Sequence, residues 1–372
     1  MIAGAPSFVG ARNPLPTEVS MPATRLRFLT LSAALLASAL VPAVVRGQNF
    51  SVARASIGGD GGTDYLAADT ATGRVYVSRG THVMVIDGAT AKVVADIGDT
   101  PRVHGIAFAQ RDGHGFTTNG GDSTSTMFDL KSMAPIKKVH AGKDGLDGIM
   151  YDDATDRILT IDHSRPDGTA VVIDAQSGDV VTTIPLTGRA PEGGVSDGKG
   201  RIFINLEDQN AIDVVDTKTW KVIASWPIAP CDGPTGIALD RATNRIFAGC
   251  SDTSVVVDAS TGKVVARLAN GAGVDALGWD AGEKLIYIPA GRDGTVTVYH
   301  EDSPDQYTRV ATVKTMPGVK TIAVDDKRHV AYGFTPEYGP APAPAAGEPA
   351  PPPGRFPRRG PVIGTAFFTI TH

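Results

Sequence analysis

Charged and polar side chains recur at one equivalent place in a pattern that repeats along the chain. Each of them stands immediately before a short apolar segment, and in chain order they are Asp64, His104, Asp147, Glu192, Thr235, Asp275 and Lys320. If the fold brings these positions together, four carboxylates, one imidazole and one amine share a single site. Such a set could hold a divalent cation, and two acids at short range could give one of them a raised pKa for general acid–base chemistry.

The metal hypothesis rests on three of these side chains, which are His104, Asp147 and Glu192. Carboxylate oxygens suit Ca²⁺, Mg²⁺ or Mn²⁺, and a bound ion could polarise the carbonyl of an ester or a lactone. The competing interpretation is that these side chains are polar because water solvates them. The sequence leaves binding, catalysis and simple solvation open, and it identifies no catalytic residue.

Two more side chains lie in loops that should frame the same place. His163 belongs to the loop 162–168, and Arg292 occupies the matching loop of a later repeat. His163 could reach the shared site, although a histidine in an exposed loop is more often simply solvated. The predicted ligand-binding set therefore comprises Asp64, His104, Asp147, Glu192, Asp275, Lys320, His163 and Arg292.

An internal repeat indicates the elements that must position these side chains. A short apolar segment that closes with an acid ends at residues 87, 129, 174, 216 and 258, and a degenerate copy ends at residue 300. The spacings are 42, 45, 42, 42 and 42 residues. A second apolar segment, for example 236–240, opens each repeat in the same phase and occurs seven times. A period of about 40 residues with four short strands per unit is typical of β-propeller blades.

We therefore predict an all-β, seven-bladed β-propeller of four-stranded antiparallel blades over residues 48–372. Turns such as 240–244 separate the strands, because Asp caps the turn and Gly or Asn accepts a positive φ. The seventh copy lacks its outer strand. The segment 50–57 should supply that strand by pairing with 366–371, which closes the ring. Residues 337–361, rich in Pro and Ala, are predicted to be a loop insertion within the last blade.

In a propeller the innermost strand of each blade lines a central channel, so the residue just before that strand faces the axis. The positions from Asp64 to Lys320 are thus predicted to meet at the mouth of the channel. The loops that carry His163 and Arg292 should frame the same mouth.

The repeat unit resembles the YVTN-type repeats of the YncE-like propeller family. Residues 258–265 read Asp-Ala-Ser-Thr-Gly-Lys-Val-Val, and residues 236–240 and 244–247 match the next part of the unit. Members typically carry an Asn after the second strand, which survives here as Asn119 and Asn205. The resemblance covers essentially the whole mature chain and implies the propeller fold. It implies no single activity, because the family includes binding proteins, surface antigens and proposed lactonases.

The beginning of the chain has the features of an export signal. Arg25 and Arg27 precede an uncharged run over 28–45, and small residues suited to signal peptidase occur within it and just after it. Residues 1–47 are therefore predicted to be a signal peptide, with Met21 as a candidate start and an uncleaved anchor helix as the alternative. We expect a mature chain without a membrane span that is periplasmic or secreted.

Two cysteines, Cys231 and Cys250, remain in the predicted mature chain. An oxidising compartment permits a disulfide between them. The strands on either side of the turn 240–245 should pair residues whose numbers sum to about 485, which places Cys250 opposite Thr235. A loop residue four positions earlier can then fold back within the distance that a disulfide needs. A free thiol pair that binds a metal is the alternative.

Composition and charge narrow the function classes. The 372 residues include 35 basic and 40 acidic side chains without a basic stripe, so nucleic acid is not an expected partner. The three tryptophans share no repeat phase, which argues against a quinone-dependent dehydrogenase. We expect an exported, monomeric binding or scaffold protein that uses the channel mouth for a small ligand, a metal ion or a partner protein. The alternative is a metal-assisted lactonase, hydrolase or lyase at the same mouth.

Overall fold

The structure is a computed structural model that describes residues 49–341 and 360–372, except Asp144 and Arg165. The predicted signal peptide, residues 1–47, and residues 342–359 of the predicted insertion lie outside the described residues. No helix in the described ranges is long and apolar enough to cross a membrane.

The described chain forms seven four-stranded antiparallel sheets, each of which is one blade of a propeller. Blades 1 to 3 are β2 Leu66–Asp69, β3 Arg74–Ser78, β4 Val83–Asp87, β5 Lys92–Ile97; β6 Val103–Ala109, β7 His114–Asn119, β8 Thr124–Asp129, β9 Pro135–His140; and β10 Leu146–Asp152, β11 Arg157–Asp162, β12 Thr169–Asp174, β13 Val180–Pro185. Blades 4 to 6 are β14 Pro191–Ser196, β15 Arg201–Leu206, β16 Ala211–Asp216, β17 Lys221–Pro227; β18 Ile237–Asp240, β19 Arg245–Ala248, β20 Thr253–Asp258, β21 Val264–Ala269; and β22 Gly278–Asp280, β23 Leu285–Ala290, β24 Thr295–Ser303, β25 Gln306–Lys314. Blade 7 is β26 Ile322–Asp325, β27 Val330–Tyr338, β28 Val362–Thr371 and, from the other end of the chain, β1 Ser51–Ala55. A 3₁₀ turn, Glu207–Gln209, lies between β15 and β16.

The ring closes as predicted, with the first strand completing the last blade. Strand β1 pairs antiparallel with β28, and its register sets Val52 opposite Ile370 and Ala55 opposite Phe367. The predicted loop insertion falls between β27 and β28, although the first of these strands extends through Tyr338. Because β1 covers the outer edge of β28, the last blade is as complete as the other six.

The predicted turn chemistry appears at the junction of the first two strands in a blade. In blade 1 the backbone N–H of Ala71 donates to Asp69 Oδ1 over 2.9 Å, and the turn ends at Gly73 with φ of 75°. In blade 5 Asp240 caps the equivalent turn, and Asn244 takes the positive φ, at 60°. The Asp carboxylate caps the start of the turn, and a residue with positive φ ends it. Together they define the hairpin that contains each innermost strand.

Apolar side chains fill the space between adjacent blades. The second and third strands of a blade, such as β3 and β4, are buried at nearly every position, whereas the outer strand β5 is largely exposed. At the junction of blades 1 and 2, Tyr76 packs against Phe108 and Phe128 at centroid distances of 4.8 and 6.0 Å. Similar buried clusters occupy the other junctions. These sandwiched cores hold the blades rigidly around the axis.

The disulfide prediction is confirmed. Strands β18 and β19 pair Ile237 with Ala248, which is the predicted register. Cys231 and Cys250 are bonded, with their Cα atoms 5.5 Å apart, and both are buried. The bond ties the loop before β18 to the end of β19.

Candidate functional site at the channel mouth

The innermost strands of neighbouring blades approach one another closely around the axis. A Cβ atom on Gly148 would lie 2.5 Å from the carbonyl oxygen of Glu192, and one on Gly236 would lie 2.5 Å from backbone atoms of Ala276. Real side chains do not fit at such distances, so glycine is required at these points of contact. The close approach brings the preceding residues of adjacent blades within contact distance.

Seven charged or titratable side chains are linked by short contacts at this end of the channel. We call them the charged mouth, which consists of Asp64, His104, Asp147, His163, Glu192, Asp275 and Lys320. Strands β6, β10 and β14 begin early enough, through an irregularity in their pairing, to include three of these residues. The remaining ones belong to loops.

The first half of the charged mouth centres on Lys320. Its Nζ lies 2.5 Å from Asp275 Oδ2 and 2.8 Å from Asp64 Oδ1. The other oxygen of Asp64 lies 2.5 Å from His104 Nδ1, which is itself 3.4 Å from Asp147 Oδ1. Blades 6, 7, 1, 2 and 3 are thereby connected through alternating negative and positive groups.

The second half of the charged mouth centres on His163. This residue follows β11, and its Nε2 lies 3.8 Å from Asp147 Oδ2 and 3.2 Å from Glu192 Oε1. Glu192 is the most buried of these carboxylates, with a residue exposure of 6%. The loop histidine therefore reaches the channel and connects blade 3 to blade 4.

Tyr65 is a member of the site that the sequence-based prediction missed. Its hydroxyl donates to Glu192 Oε2 over 3.3 Å, so a side chain from blade 1 reaches a carboxylate of blade 4. A signal for it exists in the repeat: the other six residues that open the innermost segments are Gly105, Gly148, Gly193, Gly236, Ala276 and Thr321, all small. One large residue at a position where the others leave room must occupy the axis itself.

A cavity of about 190 Å³ follows the channel beyond the charged mouth. Tyr65 lines it together with apolar side chains from the innermost strands, among them Leu66, Ile149, Leu277 and Ile322. The phenol ring thus stands between a polar mouth and an apolar channel. A second cavity, of about 300 Å³, adjoins Asp64 and His104, where Thr63 and Arg102 also line it.

Burial and neighbouring charges separate the pKa values of the carboxyl groups. Burial alone would raise the pKa of Asp64, but the hydrogen bond with His104 and the charge of Lys320 lower it to about 2. Burial raises the pKa of Asp147 to about 6, helped by the charge of Asp64. Burial also raises the pKa of Glu192 to about 7, against the opposing effect of His163. Burial is the largest cause of each raised value, and it also raises the pKa of Asp275, although Lys320 opposes it.

The basic groups and the phenol respond to the same carboxylates. Burial would lower the pKa of His163, but the nearby Glu192 carboxylate raises it to about 9. His104 behaves in the same way, with its pKa raised by Asp64 and Asp147. The pKa of Tyr65 lies well above its usual value because the ring is buried and faces several acids.

Two predicted positions have a different setting. Thr235 is buried, and its hydroxyl donates to the carbonyl of Val274 over 3.3 Å. Arg292 lies in the exposed turn between β23 and β24, where its backbone N–H donates to the carbonyl of Ala272 over 3.0 Å. A ligand-binding role for Arg292 stays a prediction.

Two groups of three side chains could hold a metal ion within the described residues. One group is Asp64, His104 and Asp147, and the other is Asp147, His163 and Glu192; in each, the ligand atoms lie within 4.8 Å of one another. The set predicted from the sequence is divided, since only Asp147 belongs to both groups. His163, whose part was left open, completes the second group.

The propeller fold is also seen in solved structures. Hydrazine synthase of Kuenenia stuttgartiensis matches 74% of this chain and 93% of its own, at 14% identity and a TM-score of 0.65. A chain of the mitotic checkpoint complex matches 83% of this chain and 95% of its own, also at 14% identity and 0.65. U3-55K matches 87% of this chain and 98% of its own, at 9% identity and 0.70.

These likenesses concern architecture. The neighbours include a structure of WD40 repeats, again at 9% identity, and identities this low show the fold alone. The sequence matches no protein-family profile, and no curated protein is significantly similar to it. The chain is therefore a seven-bladed β-propeller with WD40-like structural neighbours.

Proposed function

We propose that this protein is an exported binding protein that holds a small polar ligand at the charged mouth. The observation that carries the proposal is the excess of carboxylates over cationic groups there. Four carboxylates face one lysine and two histidines, and the lysine is bound between Asp64 and Asp275 at one end. At the other end, the cationic partners of Asp147 and Glu192 are histidines, so we expect a positively charged group of the ligand to bind beside these two carboxylates.

The cavities favour a small molecule over a protein partner. The second cavity, of about 300 Å³, reaches the lower limit of typical ligand sites and is lined by Asp64 and His104, and the first, of about 190 Å³, extends from Tyr65 into the channel. Export is supported by the signal-like segment before residue 48 and by the disulfide, which persists in oxidising compartments. The resemblance to YVTN-type repeats is consistent both with a binding function and with export.

A thermal-shift screen of small amines, amino acids and metal complexes tests the proposal. Ligands that bind at the mouth should raise the melting temperature of the protein, and Asp147→Asn should weaken them at least tenfold. Asp179→Asn is the matched control, because Asp179 is an exposed carboxylate just before β13 that pairs with Lys137 of β9 over 2.5 Å. Ligands that bind equally well to both variants would place the binding surface elsewhere.

A metal-assisted hydrolase or lyase acting on a lactone or ester is the second candidate. It is favoured by the combination of Glu192, whose pKa is raised to about 7, with the Tyr65 hydroxyl 3.3 Å away. A carboxyl group that titrates near neutrality is suited to general acid–base catalysis. Turnover of a lactone or ester that Glu192→Gln abolishes would support the enzyme. Ligand binding without turnover would support the binding protein.

A further inference from the structure

We propose that Asp147, His163 and Glu192 form a site for one divalent transition-metal ion, such as Zn²⁺ or Mn²⁺. This inference rests on the proposed function, because the same mouth is involved, and it specifies what the ligand-binding surface holds. The expected ligand set differs from the one predicted from the sequence, since His163 replaces His104.

One buried atom without a hydrogen bond points into this group. His163 Nε2 is inaccessible to water and has no hydrogen-bond partner among the described residues. His163 Nε2 lies 3.2 Å from Glu192 Oε1 and 3.8 Å from Asp147 Oδ2. Ligand atoms around one ion with bonds of about 2.1 Å stand roughly 3.0–3.4 Å apart, so small side-chain movements would complete the site. Orphaned buried polar atoms are otherwise costly.

The second group of three is a poorer metal site for a specific reason. Lys320 already contacts Asp64 at 2.8 Å, and the other oxygen of Asp64 contacts His104 at 2.5 Å. A metal ion there would have to displace these partners and would stand close to the lysine charge. The group around His163 contains no lysine contact, and the cationic partners of its carboxylates are histidines: His163 itself, and His104 beside Asp147.

The ligand types select the class of metal. One imidazole nitrogen with two carboxylates suits Zn²⁺ or Mn²⁺ better than Ca²⁺ or Mg²⁺, which prefer oxygen ligands throughout. Three protein ligands leave coordination positions for water or for an added ligand from the mouth.

Tyr65 acts here as a positioning residue. It donates to Glu192 Oε2, which leaves Oε1 directed at His163. Partners of this kind fix the orientation of a metal-binding carboxylate, and their loss typically weakens metal binding about 10- to 100-fold.

The test measures metal binding by calorimetry on protein that has been stripped with a chelator. We expect one equivalent of Zn²⁺ or Mn²⁺ to bind at least tenfold more tightly than Ca²⁺ or Mg²⁺. His163→Gln and Glu192→Gln should each weaken it at least tenfold, and Tyr65→Phe should weaken it about tenfold. His140→Gln, on an exposed outer strand, should leave the affinity unchanged and controls for adventitious binding to surface histidines.

A measurement on the unaltered protein guards against variants that fail to fold. Substoichiometric Mn²⁺ should broaden the imidazole proton signals of His163 and leave those of His140 sharp. The proposal is overturned if no stoichiometric ion binds, if His104→Gln weakens binding more than His163→Gln, or if Ca²⁺ binds more tightly than Zn²⁺ and Mn²⁺. If no metal ion binds but small ligands still bind at the charged mouth, this inference alone is overturned. Metal binding without any such ligand would overturn the proposed function instead.

Discussion

Replacing Lys320 with methionine tests whether the ion pairs of the charged mouth stabilise the propeller. The lysine contacts Asp275 Oδ2 at 2.5 Å and Asp64 Oδ1 at 2.8 Å. Methionine keeps most of the length of the side chain and removes the charge. Both carboxylates would then lose the lysine charge, and Asp64 would keep His104 as a partner.

The expected loss of stability follows from burial. Removing one partner of a fully buried ion pair costs about 3–5 kcal/mol. The Lys320 side chain is 34% exposed, while those of Asp64 and Asp275 are 18% and 25% exposed, so solvent screens part of this effect. We expect Lys320→Met to lower the free energy of unfolding by roughly 2–3 kcal/mol at pH 7.

Urea unfolding followed by tryptophan fluorescence measures the change. Lys137→Met is the matched control, since Lys137 pairs with Asp179 at 2.5 Å but the two side chains are 36% and 70% exposed. An exposed pair contributes under about 1 kcal/mol. Adding Asp275→Asn to Lys320→Met should restore about 1 kcal/mol, because one uncompensated carboxylate is removed. Equal losses for Lys320→Met and Lys137→Met would refute the reasoning.

The pH dependence provides a second readout. In the unaltered protein, the lowered pKa of Asp64 makes its ionised form stabilising above pH 4, and that stabilisation is lost as the pH falls towards 2. Lys320→Met removes one of the two partners that lower the pKa of Asp64. The stability curves of the two proteins should therefore approach each other as the pH falls from 4 towards 2. A gap that stays constant down to pH 2 would show that lost packing, not charge, explains the effect.

Three further predictions concern stability. Replacing Cys231 and Cys250 with alanine opens a loop with a sequence separation of 19 residues and should cost roughly 3 kcal/mol in urea unfolding; a loss below 1 kcal/mol would contradict the loop-entropy estimate. Burial, with the charge of Asp240, raises the pKa of Glu301, so Glu301→Gln should raise stability by about 1 kcal/mol at pH 8 and have no effect at pH 4, as measured by melting at both values. Arg79 is fully buried, donates to the carbonyls of Gly58, Gly59 and Gly61, and lies 4.8 Å from the Phe334 ring; Arg79→Met should cost about 3 kcal/mol and speed amide exchange in β1, and unchanged exchange there would show that it does not secure the closure.

The propeller could be predicted because each blade encodes it again. Every copy repeats the same apolar strands and the same Asp-capped turns, and the missing strand of the last copy identifies β1 as its replacement. The register around the turn 240–245 follows from that turn alone, and it was enough to predict the disulfide between Cys231 and Cys250. Because the same pattern recurs along the chain, a blade can be predicted even where its own copy of the pattern is degenerate.

The connections within the mouth could be predicted only in part. The residue before each innermost segment follows from the repeat phase, but the partner of each side chain depends on side-chain length across the axis. Tyr65 reaches Glu192 in a blade that is three places away, and no periodic pattern encodes that contact. His163 belongs to a loop whose length differs from those of its counterparts, so its direction was open until the loop was placed.

The arrangement of charges around the axis explains why one part of the mouth should receive a ligand. The chain of contacts runs from Asp275 through Lys320 and onward to Glu192, and it is interrupted in blade 5 by Thr235, whose hydroxyl turns to a backbone carbonyl. Near the Asp275 end the acids are paired with a lysine, whereas near the Glu192 end their cationic partners are histidines. A cation bound beside Glu192 would add a positive charge to neutralise the carboxylates at that end. Its neighbour on the side of blade 5 would be the uncharged Thr235.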